Sequence, residues 1–441
     1  MRTNVAVKSA PIFTHEGGRA QRIDPFRELQ RSVLTCLLFE DTFYEKGSDI
    51  ATRIAELVTK VAPEEVAMLA SEARNHMQLR HAPLFLLREL ARIKGAGPLV
   101  EYGLCDVIQR ADELAEFLSL YWKDKRQPLS AGVKRGLSAA FQQFDAYKLA
   151  KYNRENAIKL RDVLFLTHAK PKDAEQADLW KRLVDGTLES PDTWEVALSA
   201  GKDKKETFER LLSEGKLGGL AVLRNLRNMQ QAGVDEKLIR ARLSEGISRA
   251  LPFRFVTAAR YAPTLEDAIE ATMLKGIEGL EKLSGATGLL IDVSGSMDDK
   301  LSAKGETTRL DAACGLAILL REKAQAVAIA TFSYHLVNVP PRRGFALRDA
   351  IVGSQPHGAT YLSRAVEQFG GVKGMDRFIV ITDEQSHDDL GPAPCKKSYV
   401  VNVASYKNGV GYGNGWTHID GWSDRVVDYI REIELADEKE A

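Results

Sequence analysis

At 441 residues the chain is longer than one compact core accommodates, so two or three domains are expected. Lys+Arg and Asp+Glu balance at 61 each, so total charge says nothing about partners, and 44% apolar with 28% charged residues is ordinary for a soluble globular protein. No apolar run approaches the roughly 18 residues needed to span a bilayer. The start of the chain lacks a signal-type core, and the cysteines (Cys36, Cys105, Cys314, Cys395) form no C-x-x-C. These features predict a cytoplasmic protein with buried free thiols and exclude a membrane-spanning one.

Residues 1–20 are aperiodic and read as an arm lying on the body. Helical patterns then follow one another for about 250 residues. Asp24-Pro25 gives an N-cap and a first-position proline, and Leu29, Val33, Leu34, Leu37 and Leu38 make one apolar face. Further helices are predicted at 48–61, from Pro63, and near 83–94, 104–119, 130–143, 156–166, 177–186, 203–214, 218–229, 235–246 and 264–282. Helices of this length joined by short breaks predict an α-solenoid of HEAT type, although no strict repeat period is present and an irregular helical domain competes.

The pattern changes near Gly285. Strands are predicted at 286–293, 325–332, 335–339, 376–382 and 397–404, alternating with helices near 309–323, 361–370 and 422–434. That succession predicts an α/β domain with a doubly wound parallel sheet, followed by a frayed acidic tail. Residues 281–441 hold 18 basic and 22 acidic side chains, so the helical half is mildly positive and the α/β half mildly negative.

The most specific motif is Asp292-Val-Ser-Gly-Ser296, at the end of the apolar run Leu289-Leu-Ile291. Asp292, Ser294 and Ser296 place three oxygens at a spacing of two, which suits a hard cation. Alone the pattern is equally that of a helix cap or turn. Thr360, in a loop before a helix, and Asp383, at another strand end, bring the set to five oxygen donors. A sixth position is left for water or for an acidic group from a partner. Mg²⁺ is the expected ion, with Mn²⁺ and Ca²⁺ as alternatives. No Walker-type G-x-x-x-x-G-K-[ST] or G-x-S-x-G occurs, His387 has no partner set for a triad, and no second metal cluster is evident. Intrinsic catalysis, including phosphodiester cleavage, is therefore not expected.

Between Tyr121 and Lys170 eleven Lys/Arg stand against four acids, with Tyr147, Tyr152 and His168 interleaved. Clustered cations with stacking side chains suit nucleic-acid backbone and unpaired bases, while a solvated helical face is the competing reading.

Two resemblances follow from these residues. The set Asp292, Ser294, Ser296, Thr360 and Asp383 resembles the metal-ion-dependent adhesion site of the von Willebrand factor A domain, over roughly 285–434. Ile12-Phe-Thr-His-Glu-Gly17, Arg27-Glu-Leu-Gln-Arg-Ser-Val-Leu-Thr-Cys-Leu-Leu38, Leu79-Arg-His-Ala-Pro-Leu84 and Leu149-Ala-Lys-Tyr-Asn-Arg154 look like the TROVE module of the Ro autoantigen family. So do Leu164-Phe-Leu-Thr-His-Ala-Lys-Pro171, Trp194-Glu195, Leu223-Arg-Asn-Leu-Arg-Asn-Met229 and Leu251-Pro-Phe-Arg-Phe-Val256. The resemblances imply an arm (1–20), a TROVE-type HEAT-like helical domain (21–284) closed into a ring by the A domain (285–434), and an acidic tail (435–441).

They further imply a non-catalytic RNA-binding scaffold of bacterial Ro type, acting in noncoding RNA metabolism and quality control. Such a scaffold binds Y-type small RNAs on a basic outer surface and single-stranded 3′ ends of misfolded RNAs in a central hole, and an exoribonuclease can be tethered. RNA contact is carried onto Lys148, Lys151, Arg154, Lys159, Arg161, His168 and Lys170. Arg224 and Arg227 are candidates to line the hole, with helix packing as the competing role. Arg80 and His81 lean towards structure. The alternative from another class is a metal-dependent protein-binding adaptor that grips an acidic ligand without RNA.

Overall fold

The computed structural model describes residues 10–441 except 43, 154, 248–249, 280, 302–304, 372–373, 405 and 441, with only the backbone of 438–440. A two-stranded antiparallel ribbon, β1 (Ile12–Phe13) and β2 (Arg19–Ala20), opens it. The first helical run is α1 (Pro25–Leu34), α2 (Gly47–Val58), α3 (Pro63–Asn75), α4 (His81–Leu90), α5 (Gly97–Val107), α6 (Ala111–Tyr121), α7 (Ala131–Phe141), α8 (Ala146–Tyr152), α9 (Leu160–Thr167) and α10 (Ala174–Asp185). The second is α11 (Trp194–Ser199), α12 (Lys204–Ser213), α13 (Gly219–Gln231), α14 (Glu236–Ser244), α15 (Pro252–Tyr261) and α16 (Glu266–Lys275).

The α/β part follows as β3 (Leu283–Asp292), α17 (Arg309–Lys323), β4 (Ala324–Phe332), β5 (Leu336–Val339), α18 (Gly344–Val352), α19 (Leu362–Gly370), β6 (Arg377–Thr382), β7 (Lys397–Asn402), β8 (Thr417–Asp420) and α20 (Arg425–Glu440). Its six strands run in the order β5-β4-β3-β6-β7-β8, parallel except for the edge strand β5. The chain leaves β3 to one side for β4 and β5, then returns to β6 on the other side. The topological switch point therefore lies between β3 and β6, where ligands gather in such sheets.

Local chemistry explains where prediction and structure part. The helix expected over 104–119 is two helices. Glu113 accepts from the backbone N–H groups of Gln109 (2.9 Å) and Arg110 (3.0 Å), which stops α5 and caps α6. The expected helix 156–166 starts later, at Leu160, where Asp162 holds the Lys159 N–H at 2.8 Å. The short helices α8 and α11, the strand β8 and the helices α15 and α18 lacked a readable period. The acidic residues expected to fray instead continue α20 through Glu440.

The helices do not share one core. One apolar cluster gathers α1 to α10, while α12 to α16 share a second cluster with one face of the sheet. A third lies under α19 on the other face of the sheet. The almost wholly buried α17 joins the first two, through Ala312 and through Leu310, Ala313 and Leu316, and its Gly315 makes room for α15: a Cβ there would stand 3.0 Å from the Pro252 side chain.

Both ends of the helical chain rest on the α/β part. At the start, Thr14 Oγ1 donates to the Ser386 carbonyl (2.8 Å), the His15 N–H to Gln385 Oε1 (2.8 Å), and Asn408 Nδ2 to the Phe13 carbonyl (2.7 Å). At the end, Arg260 pairs with Asp311, and Glu270 accepts from the Phe345 N–H at 2.5 Å. Trp422 meets Phe253 edge to face at 6.4 Å, and Ser423 Oγ donates to the His76 carbonyl at 3.0 Å. The solenoid is thereby closed into a ring. Among the described residues no helix is long and apolar enough to cross a membrane.

Candidate oxygen-lined site and basic surface

Adjacent strands β3 and β6 deliver Asp292 and Asp383 side by side at their carboxyl ends. Asp292 Oδ1 accepts from the Ser294 N–H (2.8 Å) and Oδ2 from the Thr382 hydroxyl (2.6 Å). Ser294 Oγ and Ser296 Oγ lie 3.3 Å apart. The loop carrying Thr360 closes the set: the Gly295 N–H reaches the Gly358 carbonyl (2.9 Å) and the His387 N–H reaches the Thr360 carbonyl (2.9 Å). All five predicted donors thus come from three loops around one switch point.

The donor chemistry fits a hard divalent ion. Burial, and then the neighbouring Asp383 charge, push the Asp292 carboxyl up to about 7. Two buried carboxylates that repel one another are what a cation would relieve. Among the described residues no group of three or more His, Cys, Asp or Glu is placed to hold a metal, so an ion here would rely on the hydroxyl oxygens.

Two further residues, invisible to motif reading, occupy this face. Tyr44, from the loop between α1 and α2, donates its hydroxyl to Asp383 Oδ2 at 2.6 Å. Arg309, at the first turn of α17, places a guanidinium nitrogen 3.5 Å from the same oxygen and donates to the Ser296 carbonyl at 3.1 Å. Its guanidinium lies 4.8 Å from the Tyr44 ring centroid, and His15 and Tyr406 surround that ring. The face therefore looks onto the helical domain.

Beside it lies a buried ion cluster across the same seam. Arg31 of α1 pairs with Glu384 and also donates to the Tyr406 carbonyl (2.5 Å) and the Asn408 carbonyl (3.3 Å). His418 Nε2 lies 2.8 Å from Glu384, and its ring stacks on Tyr412 at 3.8 Å. Burial alone would lower the His418 imidazole, but the Asp420 and Glu384 carboxylates outweigh it and push it up to about 9. Glu384 itself sits at φ +61°, a left-handed conformation maintained by these contacts.

The basic stretch lies on α7, α8, α9 and their connections. Lys148, Arg161, His168 and Lys170 are exposed, Lys151 and Lys159 are half-buried, and Arg154 lies outside the described residues. The four acids are engaged locally. Asp124 pairs with Arg88 and Arg92, Asp145 caps α8 through the Lys148 N–H (2.8 Å), Glu155 pairs with Lys159, and Asp162 caps α9. Lys151 stands over Tyr147 and Tyr152 at 5.7 and 5.8 Å. Among the described residues Arg161 and Lys170 have no acidic partner, so the excess charge is directed outward.

Arg224 and Arg227 lie exposed on α13, well away from that stretch, in a cleft shared with α15. Arg254 and Tyr261 join them there, and Arg227 stands 5.8 Å over the Tyr261 ring. Loss of water around its head group, and then Arg224, hold the Arg254 guanidinium below its ordinary value. Arg254 belongs to the Leu251–Val256 segment noted in the sequence, but Tyr261 carries no sequence signal, and no helix is expected there from periodicity. Arg80 is structural: it joins Asp112, Glu113 and Glu116.

With this geometry in place, residues 171–275 match the family model of the TROVE domain. The matched segment runs from the end of the basic stretch to α16, within a helical ring closed by an α/β domain. A solved structure of similar fold is that of the Ro (RSR) protein of Deinococcus radiodurans. It is 17% identical, with a TM-score of 0.61, and the match covers 93% of this chain and 100% of that one.

Proposed function

We propose that the chain is a non-catalytic RNA-binding scaffold of bacterial Ro type, working in noncoding RNA metabolism and quality control in the cytoplasm. Y-type small RNA lies along the basic surface of α7 to α9, where Lys148, Lys151, Arg154, Lys159, Arg161, His168 and Lys170 meet phosphates. Single-stranded 3′ ends of misfolded RNA enter the ring past Arg224 and Arg227, with Arg254 and Tyr261 beside them. An exoribonuclease is the proposed companion on the same RNA. One observation carries the reading: eleven cations stand against four acids in this stretch, and among the described residues Lys151, Arg161 and Lys170 have no acidic partner. The closed course of the helical chain supports the threading of unpaired ends, since a duplex is wider than a single strand.

Asp292, Ser294, Ser296, Thr360 and Asp383 would hold one divalent ion, Mg²⁺ first, and that ion supplies charge neutralisation between the two carboxylates. The rival reading, an adaptor that grips an external acidic protein at this ion, is disfavoured by Tyr44 and Arg309, which already cover Asp383.

RNA binding measured against salt tests the proposal. Affinity for a structured small RNA should fall steeply between 50 and 200 mM salt, by roughly 10³-fold or more if six or more phosphates are met. Lys151→Glu with Lys170→Glu should weaken binding and flatten the salt slope by about 2, with unchanged circular dichroism. Binding no better than that of a neutral helical control would refute it.

A further inference from the structure

A cleft of about 500 Å³ opens between the α6–α7 connection and the end of α9. Its walls include Trp122, Arg126, Lys134, Phe165 and His168. The connection is tied in place: Trp122 Nε1 donates to the Gln127 carbonyl at 2.7 Å, and the Tyr121 hydroxyl to the Pro128 carbonyl at 3.4 Å. The Arg126 guanidinium covers the Trp122 ring at 4.5 Å. On the opposite wall Phe165 leaves 61% of its surface in water, although its neighbour Leu164 is buried. His168 ends α9 in the left-handed region at φ +54°, a conformation His adopts more readily than most residues, and borders the same cleft.

A single exposed phenylalanine needs no explanation. This one faces a cleft whose rim carries Arg126 and Lys134, neither of which has an acidic partner among the described residues. Asp124, close by in sequence, is turned to Arg88 and Arg92. The result is a flat aromatic surface and a guanidinium plane under a positive rim. That combination matches a flat, apolar-faced ring bearing a negative group. No free sheet edge borders the cleft to take an extended peptide backbone.

We propose that this cleft seats one unpaired nucleobase, stacked on Phe165 and on the plane of Arg126, with Lys134 and His168 facing its phosphate. The proposal rests on the RNA reading above and adds a site to it. Shape-based binding to a stem would leave such a cleft unused, whereas a base turned out of its stack gains from it.

The test uses the full chain and a short single-stranded RNA carrying one 2-aminopurine, whose fluorescence is quenched on stacking. A second oligonucleotide has an abasic residue at that position. Quenching is expected with the wild-type chain and should disappear in Phe165→Ala, with affinity falling about tenfold. Phe165→Trp should keep both. The abasic oligonucleotide should bind the wild-type and Phe165→Ala chains alike. If Phe165→Ala leaves quenching and affinity unchanged while binding stays salt-sensitive, the seat is refuted and the RNA reading stands. If the wild-type chain binds neither oligonucleotide nor structured RNA, both fall. If an acidic, aromatic peptide displaces the oligonucleotide from the wild-type chain as well as a dinucleotide does, the occupant is a peptide and the proposal is overturned.

Discussion

Arg31→Met is the sharpest probe of how the ring is closed. Arg31 is 1% exposed and Glu384 fully buried, so the substitution leaves a carboxylate in the seam without its main cation. Breaking a buried pair from one side costs about 3–5 kcal/mol. The lower end applies here, because His418, pushed up to about 9, stays protonated at neutral pH and remains 2.8 Å from Glu384. A chain of this size need not unfold in one step, so the local opening of the seam is the quantity to read. Hydrogen exchange of residues 25–34 and 406–421 should accelerate by roughly 10²-fold, the equivalent of about 3 kcal/mol. Adding Glu384→Gln should restore most of the protection, since the unpaired charge is then gone. An acceleration below about fivefold, or a double variant as mobile as the single one, would show that the pair does not hold the seam.

The same cluster sets a pH window. His418 is raised from 6.5 to about 9, so the native state binds the extra proton and the seam's stabilisation is complete below about 6.5. It should decline as pH rises through 9, read as faster exchange of β8, and His418→Gln should remove that dependence. Asp292→Asn should abolish Mn²⁺ binding measured by calorimetry while leaving structured-RNA affinity within about twofold; joint loss in a folded protein would show that the two functions are not separate. Tyr44→Phe removes a hydrogen bond that competes for Asp383 and should tighten Mn²⁺ binding by about tenfold. Weaker binding would mean that the hydroxyl instead orients the carboxylate.

Much of the architecture was legible because it is written in local chemistry. The apolar run Leu289-Leu-Ile291 ending in Asp292 announced a covered strand, and the shift from helical to strand spacing near Gly285 marked the second fold class. The placing of Asp292, Ser294, Ser296, Thr360 and Asp383 at strand ends and in a loop before a helix was legible for the same reason, since strand ends and small hydroxyl residues are features of short segments. The break at 108–110 was not, since it depends on Glu113 turning back onto two backbone N–H groups.

By itself the sequence determined the change from a helical to an α/β succession near Gly285, the gathering of oxygen-bearing side chains at strand ends and the position of the basic stretch. Only the tertiary structure decided what those groups face. Tyr44 and Asp383 are 339 residues apart, and Arg31 and Glu384 are 353 apart. No periodicity encodes such pairs, because their meeting depends on how sixteen helices accumulate curvature until the chain returns to its sheet. Closure also decides that the oxygen-lined face looks inward onto the helical domain. The fold also turns Asp124 away to Arg88 and Arg92, so the cations between Tyr121 and Lys170 keep an excess of charge.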